Sequence, residues 1–146
     1  MATLATSTSG TTIAVSASLP GTYDSTGFAA LTYTGTGEVT DIGEYGKEYN
    51  LITHNPIGDR KTYKFKGNYN NGSLALQMAS APADGGQAIL ITALDSDTSI
   101  SVEITHQNGD IDYFTGKVMS YRVAVAAESI KTASVTFEID SDIVAV

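Results

Sequence analysis

The chain has no cysteine. Disulfides and cysteine-ligated zinc are therefore excluded, and folding does not depend on an oxidising compartment. Charge of both signs is scarce. Only 16% of residues are charged, against about a quarter in an average domain. Positive charge is scarcest, with 8 bases against 16 acids and a net charge of −8. Such a chain repels a polyanion unless its bases are clustered. No run is long enough to span a bilayer, and the first residues lack the basic and apolar regions of a signal peptide. The expectation is a protein made in the cytosol and soluble until it assembles. Ser, Thr and Gly fill the gap that the charges leave. That mix suits β-structure rich in turns, or a surface largely buried against other copies. At 146 residues the chain fits one domain, 1–146, with a real core.

Catalytic and metal-binding patterns are also missing. His54 and His106 are the only histidines and lie far apart, whereas zinc needs three or four ligands at short spacings. Asp95-Ser-Asp97 and Asp140-Ser-Asp142 resemble the opening of a calcium loop but lack its later oxygen ligands and glycine. No glycine run has the spacing that cradles phosphate. Asn71-Gly72-Ser73 matches a glycosylation acceptor but reads as a turn. Nothing singles out a catalytic carboxylate pair. The expectation is no enzyme, no metal and no cofactor.

What is present is strand pattern. Residues 1–10 read as a flexible Ser/Thr-rich arm. Residues 11–18 alternate around Ile13 and Val15, a first strand, and Leu19-Pro20-Gly21 is a turn signal. Residues 28–33 and 38–42 are weaker strand candidates. Residues 43–60 have no clean period and read as a long loop, which in a compact domain is usually functional. Asn71-Gly72 suits a two-residue hairpin turn, predicting Phe65 opposite Met78, Gly67 opposite Leu76 and Tyr69 opposite Leu74 on a core face. Lys64 and Lys66 then lie outside. Residues 84–94 predict a helix capped by Asp84, with Gln87 completing a capping-box pattern. Asn108-Gly109 predicts a second hairpin, with Ile104 opposite Tyr113 and His106 opposite Ile111. Phe114 and Val118 then fall out of phase, which predicts a bulge or bend near Gly116. The last strand alternates cleanly: Ala133, Val135, Phe137 and Ile139 face one way, and Thr132, Ser134, Thr136, Glu138 and Asp140 the other. Charge is lopsided: residues 95–142 hold nine acids and three bases, whereas residues 43–66 hold three acids and five bases.

Residues 108–120 (NGDIDYFTGKVMS) resemble the tail tube proteins of long-tailed, non-contractile bacteriophages. The likeness is carried by an Asn-Gly turn, then Phe-x-Gly-x-Val, then an Ala-Val-x-Ala break over residues 124–127, then a Thr/Val-rich last strand. Ile130, Thr132 and Val135 fit that pattern. The resemblance implies a mainly β fold: a β-sandwich of two antiparallel sheets with one flanking helix. It implies that inner sheets join edge to edge into a barrel in a hexameric ring, and that rings stack into a conduit for DNA. It implies partners of three kinds: further copies of the chain, tail terminator, tape measure and tail tip proteins, and genomic DNA in transient non-specific passage. No membrane insertion of the subunit is implied, and the location is the virion tail after synthesis in the host cytoplasm.

Within that frame, Glu138, Asp140, Glu103 and Asp112 are expected to face the lumen, because they alternate with apolar residues on amphipathic strands. Acidic and hydroxyl side chains there would let a duplex slide, since DNA binds wherever Lys and Arg displace its counterions. Tyr45, Lys47, Tyr49 and Arg60 in the long loop are expected to contact the next ring. Two alternatives differ in class or particle: the tube of a contractile tail, type VI system or gene-transfer particle, and a monomeric β-sandwich binding carbohydrate or adhering through Tyr45 and Tyr49.

Overall fold

The computed structural model describes residue 5 and residues 7–146, so most of the predicted arm's first six residues lie outside the described residues. The first strand, β1 (Thr12–Ser16), buries Ile13 and Val15 as its alternation predicts. A one-turn helix follows, α1 (Ser25–Ala29), started by Asp24, whose carboxylate accepts from the Gly27 N–H at 2.7 Å. Two short strands come next, β2 (Thr34–Gly35) and β3 (Val39–Asp41).

Residues 43–60 are not a loop throughout. Glu48–His54 form β4, which pairs antiparallel with β5 (Tyr63–Asn70) as a sheet of its own. This corrects the predicted pairing of residues 63–70 with residues 73–79. Phe65 lies opposite Ile52 and Tyr69 opposite Tyr49, so neither meets the β6 (Ser73–Ala79) residues assigned to it. Asn71-Gly72 is instead the joint where the chain leaves one sheet for another. Gly72 takes a positive φ of 86°, its N–H bonds Asn70 and its carbonyl accepts from Ile139. The β6 half of the expectation holds: Leu74, Leu76 and Met78 are buried.

The helix α2 (Gly85–Leu94) starts where the cap predicted, with the Asp84 carboxylate accepting from the Gln87 N–H at 3.2 Å. Gln87 does not reach back to complete the box. It is fully buried and ties three segments together. Its Nε2 donates to the carbonyls of Gly37 and Ala79, and its Oε1 accepts from the Ala81 N–H and the Tyr121 hydroxyl.

β7 (Ile100–Thr105) and β8 (Ile111–Ala124) form the second predicted hairpin, one residue out of the predicted register. Glu103, not Ile104, is opposite Tyr113. The His106 N–H bonds the Asp110 carbonyl, and Gly109 has φ of 97°, which makes a three-residue loop ending in a left-handed glycine. In the true register Val102 faces Phe114 and Ile100 faces Gly116, so no bulge is needed at Gly116. The irregularity lies between Val118 and Ser120, where Met119 is pushed out to solvent.

β9 (Thr132–Ile139) joins β8 to β6, and β10 (Val144–Ala145) adds to the start of β8. The main antiparallel sheet runs β2-β1-β7-β8-β9-β6-β3. It curls so that Ile13, Val102 and Ile104 from one half share a core with Leu76, Val135 and Phe137 from the other. Leu90 and Ala93 of α2 close that core. The result is mainly β, two sheet regions around one core with a flanking helix, as expected.

Candidate assembly surfaces

The 14-residue strand β8 runs through both halves of the sheet, and its burial changes part-way along. Its first part is covered on both faces. One face meets the core through Phe114. On the other, Tyr113 stacks on Phe28 of α1 at 5.4 Å between ring centroids, with Tyr33 beside them. From Lys117 onward the face away from the core is bare.

That bare face belongs to β3, β6, β9 and the second part of β8, and register lays out its rows. Asp41, Gln77, Ser134 and Arg122 form one row; Ala75, Thr136 and Ser120 another; Ser73, Glu138 and Lys117 a third. Four of these ten side chains are Ser or Thr, and Ser134 donates to the Gln77 side-chain Oε1 at 2.8 Å. Both margins of this four-stranded region are open. Beyond Gly116, the edge of β8 that β7 occupied has no strand partner among the described residues, and neither has the outer edge of β3. Open edges of this kind template pairing with another chain.

The four expected lumen acids separate here. Glu138 is exposed on the bare face. Asp140 closes its end, 3.3 Å from the Lys117 ammonium and bonded by Thr115 and Ser99. Burial pushes the Asp140 carboxyl up, but the bonds from Ser99, Thr115 and Lys117 outweigh it and hold it below the ordinary range. Glu103 sits in the other half, beside Tyr33 and Tyr113, whose hydroxyls are pushed up chiefly by burial and then by that carboxylate. Asp112 lies on the core side of β8 and accepts from the Tyr45 hydroxyl and from His106 at 2.8 Å. The bare face therefore carries Asp41, Glu138 and Asp140 against Lys117 and Arg122, a balance that sequence parity alone did not show.

The second surface is the β4–β5 hairpin. At its base, Tyr69 and Asn71 donate to the Asp142 carboxylate, holding it below the ordinary range with help from the Lys47 charge. Tyr45 is at the root, packed on Phe114 of the body, while burial and Asp112 push its hydroxyl up. Lys47 and Tyr49 are at the base, beside Tyr69, and Arg60 is on the far turn between β4 and β5. Lys47 lies over the Tyr69 ring at 4.4 Å and Lys66 over the Tyr49 ring at 4.0 Å. One face of the hairpin carries Ile52, Phe65 and Tyr63, and the other Leu51, Lys64 and Lys66. Leu51 at 65%, Phe65 at 56% and Ile52 at 52% exposure are apolar area that a lone chain leaves in water. The missing sequence period over residues 48–54 was itself the signal, because neither face of β4 packs on its own core.

The model of the lambda phage tail tube protein family matches residues 46–142, covering the hairpin, α2 and the β6, β8 and β9 strands of the bare face. The chain belongs to the lambda phage tail tube protein family. This tail tube protein is a structural component of a virion tail. Its fold is shared with solved assemblies at low identity. A chain of the anti-feeding prophage baseplate, solved with six-fold symmetry, superposes with a TM-score of 0.71 at 11% identity, covering 100% of this chain and 97% of that one. The sheath/tube terminator of an extracellular contractile injection system gives 0.68 at 9% identity, covering 100% and 99%. The SPP1 tail tube gives 0.64 at 10% identity, covering 92% of this tail tube protein and 75% of that chain. Among curated proteins no sequence matches.

Proposed function

We propose that the open edge of β8 in one copy pairs with the β3–β6 edge of the next, closing six copies into a ring whose bare faces line a DNA conduit. The observation that carries this is the one-sided burial of the β3-β6-β9-β8 region between two open edges. An edge-to-edge contact of unlike edges is heterologous, and it gives a ring when the rotation closes. Strands lie about 4.8 Å apart, so four strands from each of six copies give a backbone wall about 37 Å across. Three copies would give about 18 Å, which side chains would fill. The six-fold symmetry of the baseplate relative agrees with the larger ring.

The lining mixes Ser and Thr with charges of both signs near balance, and Lys117 is held by Asp140. A duplex finds few free cations there to exchange for its counterions. In this reading Glu138 and Asp140 line the wall, while Glu103 and Asp112 act within the subunit. The hairpin carries Lys47, Tyr49 and Arg60 to a neighbouring ring, and terminator, tape measure and tip proteins bind the ends and the interior of the tube.

The test is Ser134→Lys with Thr136→Lys in assembled tails. Lysines at the wall slow DNA release at low salt, and raising the salt restores it. Normal release at low salt from particles carrying both lysines would contradict a lining role.

A further inference from the structure

The tip of the hairpin is a fixed apolar point. Between β4 and β5 the chain turns at residues 55–62, with the Asp59 N–H bonded to the Pro56 carbonyl at 3.2 Å. The Asp59 carboxylate accepts from the Lys61 N–H at 3.1 Å and from the Tyr63 hydroxyl at 2.6 Å, which braces the turn. Ile57 stands on this turn with its side chain wholly in solvent. Arg60 and Lys61 follow it. A braced turn loses little conformational freedom when it docks.

An apolar groove of about 260 Å³ lies on the body between α2 and the end of β1 beside the start of β7. Ala93 and Ile100 form its floor, and Ala17, Ala88, Ile89 and Thr92 its walls. An apolar cavity of about 150 Å³ takes up a benzene ring, so an isoleucine side chain fits this one. Ser96 lines the end of the groove and is flanked by Asp95 and Asp97, both exposed. The last turn of α2 has no basic residue, so the partial negative charge of the helix end adds to the two aspartates. The charges of the two surfaces are complementary. Residues 47–66 hold five bases and two acids, and the rest of the chain holds three bases and fourteen acids.

We infer that the hairpin tip of one copy seats Ile57 in the α2 groove of a second copy, with Arg60 and Lys61 over Asp95 and Asp97. This rests on the tube reading and names the receiving surface within it. The seven-residue strand β4 spans about 24 Å, enough to carry the tip beyond its own body. Apolar fit supplies the affinity, and the charges set which way round copies meet.

The chain has no cysteine, so engineered thiols report without interference. Ile57→Cys protein mixed with Thr92→Cys protein can form a disulfide only between copies. Under mild oxidation the mixture gives a covalent dimer, whereas Ile57→Cys mixed with Thr136→Cys does not. Tubes that form normally with no Ile57–Thr92 bond, or a bond from Thr92→Cys to a different virion protein alone, overturn the inference and leave the tube reading standing. Should the cysteine variants fail to assemble, charge reversal decides. Arg60→Glu with Lys61→Glu raises the concentration needed for assembly about tenfold, and Asp95→Lys with Asp97→Lys restores it. No rescue overturns the inference.

Discussion

A β-carbon on Gly116 would lie 2.2 Å from the carbonyl oxygen of Glu138 and 2.4 Å from the Phe137 ring. This is the point where β8 passes from the half covered on both faces to the half bared on one. Backbone there cannot yield without moving β9. Gly116→Ala should therefore cost about 3 kcal/mol, the upper end for overpacking. Urea denaturation of the free subunit reads this directly. A loss below about 0.5 kcal/mol, the level of an ordinary surface change, would contradict the close crossing.

Gln87 is buried in the first turn of α2, and its amide serves Gly37, Ala79 and Ala81 together. Gln87→Leu leaves three backbone groups without that partner, and about 3 kcal/mol is expected at 1–3 kcal/mol per group after partial relaxation. Gln87→Glu should be worse at neutral pH, because the site favours the uncharged acid. Its folded-state pKa is then raised, so the deficit shrinks as pH falls toward 4, near the usual glutamate value of about 4.3. Melting of both variants at two pH values checks the sign.

The features legible in the sequence are those whose signal is local. Asp84 and Gln87 marked the start of α2, and the alternation of residues 132–139 gave both faces of β9. The β7–β8 hairpin was legible, but its register was not, because Asn-Gly ends a three-residue loop as readily as it forms a two-residue one. That single step displaced Asp112 from the expected outer face to the core side. Asn71-Gly72 misled for a different reason. It has the composition of a hairpin turn, yet its flanking strands pair elsewhere, and only tertiary partners reveal that. The bare face was visible as polar parity on β9, while its charge balance depended on β8 and β3 lying alongside.

Asp140 gives a pH prediction. Its carboxyl is held below the ordinary range in the folded chain. Its contribution is therefore present above the unfolded aspartate value of about 3.9 and is lost as pH falls through the lower folded value. Thermal stability should drop on acidification below about pH 4, and Asp140→Asn should make that drop shallower. Parallel curves for the two proteins would show that Asp140 is not a source of the acid sensitivity.

Tyr45 fastens the root of the hairpin to the body through Asp112 and His106. Its hydroxyl stays protonated at all ordinary pH values, since burial and Asp112 push it up. Tyr45→Phe should cost about 2 kcal/mol, the range for a hydrogen bond to a charged group. It should also speed amide exchange over residues 43–47. Unchanged exchange there would mean the root is held by packing on Phe114 alone.

Cryo-electron microscopy of tubes assembled from the purified subunit bears most directly on the role of the bare face. The expected map shows β8 of one copy paired with the β3–β6 edge of the next, a backbone wall about 37 Å across, and Ser134, Thr136 and Glu138 facing the lumen. A map with those three residues on the outside of the tube would contradict it.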